Sequence, residues 1–155
     1  MHEDLSPHSL FRSSAHTVHT RLLDALVELA QMEPATPRTE AWQALETRLL
    51  AHMRAEADLM LPDFGLMHAD EAARVRGAHE RIRQCIIQVQ DTANAPGLDL
   101  RALDELDTLL RTCAAFEERL LYPWAERQLR ASKRGEFLQR ARGQVLTREL
   151  PRWNA

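Results

Sequence analysis

The chain has 155 residues, a formal net charge of −3, seven histidines and two cysteines. This length suits one domain with a sizeable core, and the charge excludes the basic surface that nucleic-acid binding needs. No stretch approaches the ~20 apolar residues of a membrane-spanning helix. The first residues lack the apolar segment of a signal peptide. We therefore expect a cytoplasmic protein with reduced cysteines, no membrane or nucleic-acid partner, and an oligomeric state left open.

Apolar residues at helical spacing predict four long helices joined by short loops. They are expected over about residues 7–32, 37–60, 70–92 and, after an N-cap at Asp99, from there to Leu120. Pro62 should break the second helix, and Pro123 should kink the fourth or start a new segment. A short fifth helix is expected over residues 132–146. The prediction is an all-α, up-down-up-down four-helix bundle with a short C-terminal helix.

The predicted second helix carries an apolar stripe with two polar members. Its residues follow steps of three and four, as the inward face of a bundle helix does. Burying an imidazole and a carboxylate without partners costs several kcal/mol, and at positions i and i+4 the two project from one face. Either a core His–Glu hydrogen bond or a metal between helices satisfies them. The stripe consists of Trp42, Leu45, Leu49, His52, Glu56 and Leu59.

A repeat along the chain favours the metal. A shift of 61 positions carries His52 onto Cys113 and Glu56 onto Glu117. Cys113 and Glu117 thus belong to a second stripe with the same steps of three and four. Its apolar members are Leu103, Leu106, Leu110 and Leu120. A shift of 63 carries the run His16, His19, Leu23, Leu26 onto the run His79, Ile82, Ile86, Val89. We interpret residues 1–155 as one domain, with pseudo-twofold repeat halves at about 7–65 and 69–129 and an extension over 130–155.

The predicted ligands face a common interior. Imidazole and carboxylate together favour iron, manganese or zinc over calcium or magnesium, which prefer oxygen ligands. His19 ranks below His16 because its repeat partner is Ile82, so it is a ligand, a group beside the ligands or a core histidine. A buried polar network satisfied by its own members is the alternative. The predicted ligands are His16, His52, Glu56, His79 and Glu117, with Cys113 and His19 as weaker candidates.

This pattern resembles the hemerythrin-like, or HHE cation-binding, family over residues 5–129. The family has a His on helix 1, His-x-x-x-Glu on helix 2, His on helix 3 and His-x-x-x-Glu on helix 4. His16, His52 with Glu56, His79 and Glu117 match those positions. The resemblance implies a non-haem di-iron site with bridging carboxylates, which binds or senses oxygen, nitric oxide or iron.

Cys113 departs from the family pattern, because it stands where the fourth-helix His is found. Oxygen carriers of the family also have a further His at the position of Val75. Cys113 is either a thiolate ligand or, as we favour, a small core thiol. The iron site is then dinuclear, or mononuclear at His16, His52 and Glu56. We expect binding or sensing rather than catalysis. The alternatives are a metal-free interaction or oligomerisation module, and a small redox enzyme using iron and Cys113.

Overall fold

The computed structural model describes residues 7–93 and 96–143, with side chains from residue 10 onward, and in this part of the chain every regular element is helical. The elements are α1 (Pro7–Gln31), α2 (Thr36–Leu59), α3 (Leu61–Met67), α4 (Ala69–Ala93), α5 (Leu100–Phe116), a π-helical turn (Glu117–Leu121), α6 (Tyr122–Gln128) and α7 (Ala131–Ala141). The all-α prediction is confirmed. Residues 144–146 of the predicted fifth helix lie outside the described residues.

The four long helices contact one another in a closed ring. Helix α1 packs against α2 and α5, and α4 packs against the other sides of α2 and α5. The apolar side chains of these helices form one core cluster. The interior of this ring is where polar side chains must find partners. The up-down-up-down order and the internal repeat remain predictions.

Helix α2 presents the predicted stripe to the core, since all six members from Trp42 to Leu59 are buried. Helix α2 ends before Pro62 as predicted, but residues 62–65 lie within the short helix α3 instead of an irregular break. The reason is that proline fits the first turn of a helix, where its missing N–H has no intrahelical partner to lose.

The fourth predicted helix is three elements in the structure. Asp99 caps α5, its side chain accepting a hydrogen bond from the Ala102 N–H at 3.0 Å. The π-helical turn follows, and Pro123 lies in the first turn of α6. Because the wider π turn shifts the register, Leu120 is 37 % exposed and Leu121 is buried. The prediction that Leu120 ends the inward stripe is therefore wrong.

Helix α7 packs mainly against α2 and also contacts α1. Its Phe137 is fully buried, with ring contacts to Phe11 and Tyr122. Arg140 binds Asp58 on α2. Among the described helices, none combines the length and hydropathy needed to cross a membrane.

Candidate metal centre

Three imidazoles and two carboxylates converge between α1, α2, α4 and the π-helical turn. All five side chains are buried, and Glu56 has no exposed surface at all. His19, His52, Glu56 and Glu117 each offer a ligand atom within 4.8 Å of the others. His79, Cys113 and Glu117 form a second such group. Glu117 belongs to both groups, so one carboxylate lies between two potential ion positions.

The distances between donor atoms match those around a small ion. His19 Nε2 lies 3.2 Å from His52 Nε2 and 3.5 Å from Glu117 Oε1. Ligands bound about 2.1 Å from one ion are separated by roughly 3.0–3.4 Å. His52 Nε2 also contacts Glu56 Oε1 directly, and His79 Nε2 lies 3.6 Å from Glu56 Oε2. The donor atoms are thus gathered where one or two cations fit.

Several of these atoms have no hydrogen-bond partner. Glu56 Oε2, Glu117 Oε2 and His79 Nε2 are buried, and none has a partner within hydrogen-bond distance, although His79 Nε2 and Glu56 Oε2 lie 3.6 Å apart. Each such group costs about 1–3 kcal/mol, and buried polar atoms in proteins are ordinarily satisfied. A closed polar network would leave few atoms of this kind. The residues present therefore could hold a metal ion.

The surroundings shift the pKa values of the two carboxyl groups in opposite directions. Burial raises the pKa of Glu56. The charge of His52, together with interactions with the side chains of Glu117, His52 and His79, outweighs burial and holds the pKa of Glu56 well below its usual range. Burial, followed by the charge of Glu56, raises the pKa of Glu117 well above its usual range. Without a cation, one carboxyl is ionised and the other keeps its proton. A cation would allow both to ionise.

The structure places His16 on the surface, with its side chain 67 % exposed, and puts His19 in the cluster instead. The prediction that His16 faces inward is wrong. Helix residues three apart are rotated by about 300° and residues four apart by about 400°, so those four apart lie near one face. Ala15 and Phe11 lie four and eight residues before His19, and both are buried. Together with His19 they define the inward face of α1.

His16 instead contacts Glu118, whose other carboxylate oxygen lies 3.6 Å from His19 Nδ1. Interaction with His19, and then with His16, holds the pKa of Glu118 below its usual value against the effect of burial. A carboxylate on this side favours the His19 tautomer with the proton on Nδ1, which leaves Nε2 free to bind a cation. Glu118 is thus placed to orient His19.

Cys113 is buried against the second donor group. Burial raises its pKa, and the negative charges of Glu117 and Glu56 raise it further. The sulfur is therefore a neutral thiol unless a cation lies beside it, because a metal ion can deprotonate a coordinating thiol. Its assignment as a core thiol stays a prediction.

Tyr122 is the residue that the sequence patterns missed. Its hydroxyl donates a hydrogen bond to Glu56 Oε1 at 3.0 Å and lies 3.0 Å from His19 Nε2 and 3.3 Å from His52 Nε2. Burial and the charges of Glu56 and Glu117 raise its pKa well above the usual value. Tyr122 follows the π-helical turn directly, and a regular helical wheel gave no signal that it enters the cluster.

A cavity of about 20 Å³ adjoins the cluster. Its lining residues are His19, Leu22, Leu49, His52, Met53, His79, Ile82, Leu110, Cys113, Ala114 and Glu117. About 10–15 Å³ on this measure is enough for one water molecule. The cavity therefore has room for one water or one diatomic molecule.

Comparison with known proteins found no matching family model, no similar curated protein and no similar solved structure.

Proposed function

We propose that this protein is a hemerythrin-like four-helix bundle that binds iron at the buried cluster and takes up a small diatomic ligand, oxygen or nitric oxide, beside it. The observation that carries the proposal is the set of buried, unpaired atoms Glu56 Oε2, Glu117 Oε2 and His79 Nε2. Burying these groups is costly unless a positive charge joins them.

The donor set favours a transition metal. Imidazoles and carboxylates together suit iron, manganese or zinc, whereas calcium and magnesium prefer oxygen ligands alone. His19, His52, Glu56 and Glu117 would hold the first ion. A second ion would be held by His79, Glu117 and the second oxygen of Glu56, and Cys113 would lie beside it.

Iron would supply an open coordination position and a change of oxidation state, and the protein would determine what reaches them. The 20 Å³ cavity has room for a ligand of one or two heavy atoms. Its aliphatic side, from Leu22, Leu49 and Ile82, favours an apolar diatomic molecule over an ion. Binding or sensing of oxygen, nitric oxide or iron itself accords with this arrangement.

Metal analysis of protein produced in iron-supplemented cells and purified without chelator tests the proposal. We expect at least one iron per chain in the wild type, and a loss of most of it in His52→Ala and Glu56→Ala. His16→Ala and His68→Ala are matched controls that should keep the iron, because both imidazoles lie outside the cluster.

Full metal content in both cluster variants would refute the proposed site. A wild type without transition metal, also after anaerobic incubation with ferrous iron, would instead support a metal-free helical module. Circular dichroism of each variant separates loss of a ligand from loss of the fold.

A further inference from the structure

The Tyr122 oxygen is surrounded by the candidate ligands themselves. It lies 3.0 Å from Glu56 Oε1, 3.0 Å from His19 Nε2 and 3.3 Å from His52 Nε2. These separations are similar to those between the candidate metal-ligand atoms, such as the 3.2 Å between His19 Nε2 and His52 Nε2. The phenolic oxygen thus occupies a position within the donor group.

Hydrogen bonding alone accounts poorly for this position. A phenol has one hydrogen to donate, and Glu56 Oε1 receives it. His19 Nε2 is also an acceptor when Glu118 holds the His19 proton on Nδ1, and His52 Nε2 faces the carboxylate of Glu56. The single phenol hydrogen therefore faces two acceptor atoms, Glu56 Oε1 and His19 Nε2, which is the situation a cation relieves.

From this geometry we propose that Tyr122 is a further ligand of the metal, donating its phenolate oxygen to the ion held by His19, His52, Glu56 and Glu117. The inference rests on the proposed function and adds a residue to its site. Phenolate is a hard oxygen donor that stabilises ferric more than ferrous iron. The site is then biased toward the ferric state.

The surroundings of Tyr122 fix the ring in this position. His19 stacks on it with ring centroids 5.4 Å apart, and Phe11 and Phe137 pack against it at 6.1 and 5.8 Å. The side chain is buried, so water does not compete for the oxygen. Tyr122 does not line the 20 Å³ cavity, which leaves that space for a small ligand.

A spectroscopic test is unusually direct because Tyr122 is the only tyrosine in the chain. Ferric iron should give the wild type a visible phenolate-to-iron charge-transfer band with tyrosine ring modes in resonance Raman. Tyr122→Phe should lose the band, keep its helical circular dichroism and bind ferric iron about tenfold or more weakly. Cys113→Ala is the matched control and should keep the band, which excludes sulfur as its source.

A second measurement needs no variant. Gallium(III) is colourless, so its binding to the wild type should produce only the ultraviolet difference spectrum of a tyrosine losing its proton. Wild-type protein that binds ferric iron without a phenolate band, or a band that survives in Tyr122→Phe, overturns the inference and leaves the proposed function standing. Wild-type protein that binds no iron overturns both.

Discussion

Replacing Glu117 with glutamine should stabilise the metal-free protein while weakening metal binding. Glu117 is buried beside Glu56, and both burial and the Glu56 charge raise its pKa well above the ordinary 4.5. The folded chain therefore holds a proton that the unfolded chain releases. Glutamine keeps the size of the side chain without this titration.

The sign and size of the effect follow from proton linkage. A carboxyl with a raised pKa makes the folded state less stable as pH rises above the unfolded pKa of about 4.5. Up to pH 7, roughly 2.5 pH units at about 1.4 kcal/mol each give a ceiling of about 3.5 kcal/mol. Relative to wild type, the free energy of unfolding of Glu117→Gln should be unchanged near pH 4 and higher by at most ~3.5 kcal/mol at pH 7.

Urea unfolding of chelator-treated protein, followed by circular dichroism at pH 4 and pH 7, measures this difference. Glu118→Gln is the control, because Glu118 is partly exposed and its pKa is lowered. Titration with iron should show weaker binding to Glu117→Gln. A variant that is less stable than wild type by the same amount at both pH values would refute the reasoning, since Glu117 would then serve the fold as part of a polar network.

Three further predictions concern the surroundings of the cluster. Phe137→Ala should cost about 3–5 kcal/mol in urea unfolding, because its fully buried ring packs against His52 and Tyr122. A cost under about 1 kcal/mol would show that the packing of α7 contributes little to stability. Cys113→Ala should leave the iron content unchanged, and Cys113→His should raise it toward two iron ions per chain, as measured by elemental analysis. Loss of iron in Cys113→Ala would show that the sulfur is a ligand. Asp99→Ala should cost about 1 kcal/mol through the lost α5 cap without changing iron content, and equal stability would show that the cap contributes nothing.

Helix α2 could be predicted from its sequence because one rule governs it. Its inward stripe continues at steps of three and four from Trp42 to Leu59, and no proline or register change interrupts it. His52 and Glu56 therefore faced inward on the helical wheel and do so in the structure. The same reasoning correctly buried His79 on α4.

The inward-facing histidine of α1 was predicted wrongly because two histidines lie three residues apart on this helix. The repeat paired His16 with His79, while the packing of α1 is decided by its apolar side chains. Phe11 and Ala15 are buried on the same face as His19, and His16 points away from them. Extending the apolar stripe back from His19 would have identified the correct histidine.

Tyr122 lay beyond prediction because a register change brings it into the cluster. The π-helical turn Glu117–Leu121 adds one residue to the turn before Pro123, which has no N–H to give to a regular helical bond. Such turns occur often at functional sites, but a wheel with constant spacing cannot place the residues that follow them. The sequence suggested a kink at Pro123 without indicating its direction.

The most direct test of the proposed metal site is a crystal of protein loaded anaerobically with ferrous iron, measured at the iron absorption edge. We predict an anomalous difference peak inside the helical ring, between His19, His52, Glu56 and Glu117. A peak elsewhere on the protein, or a cluster without anomalous density in crystals grown with excess iron, would contradict it.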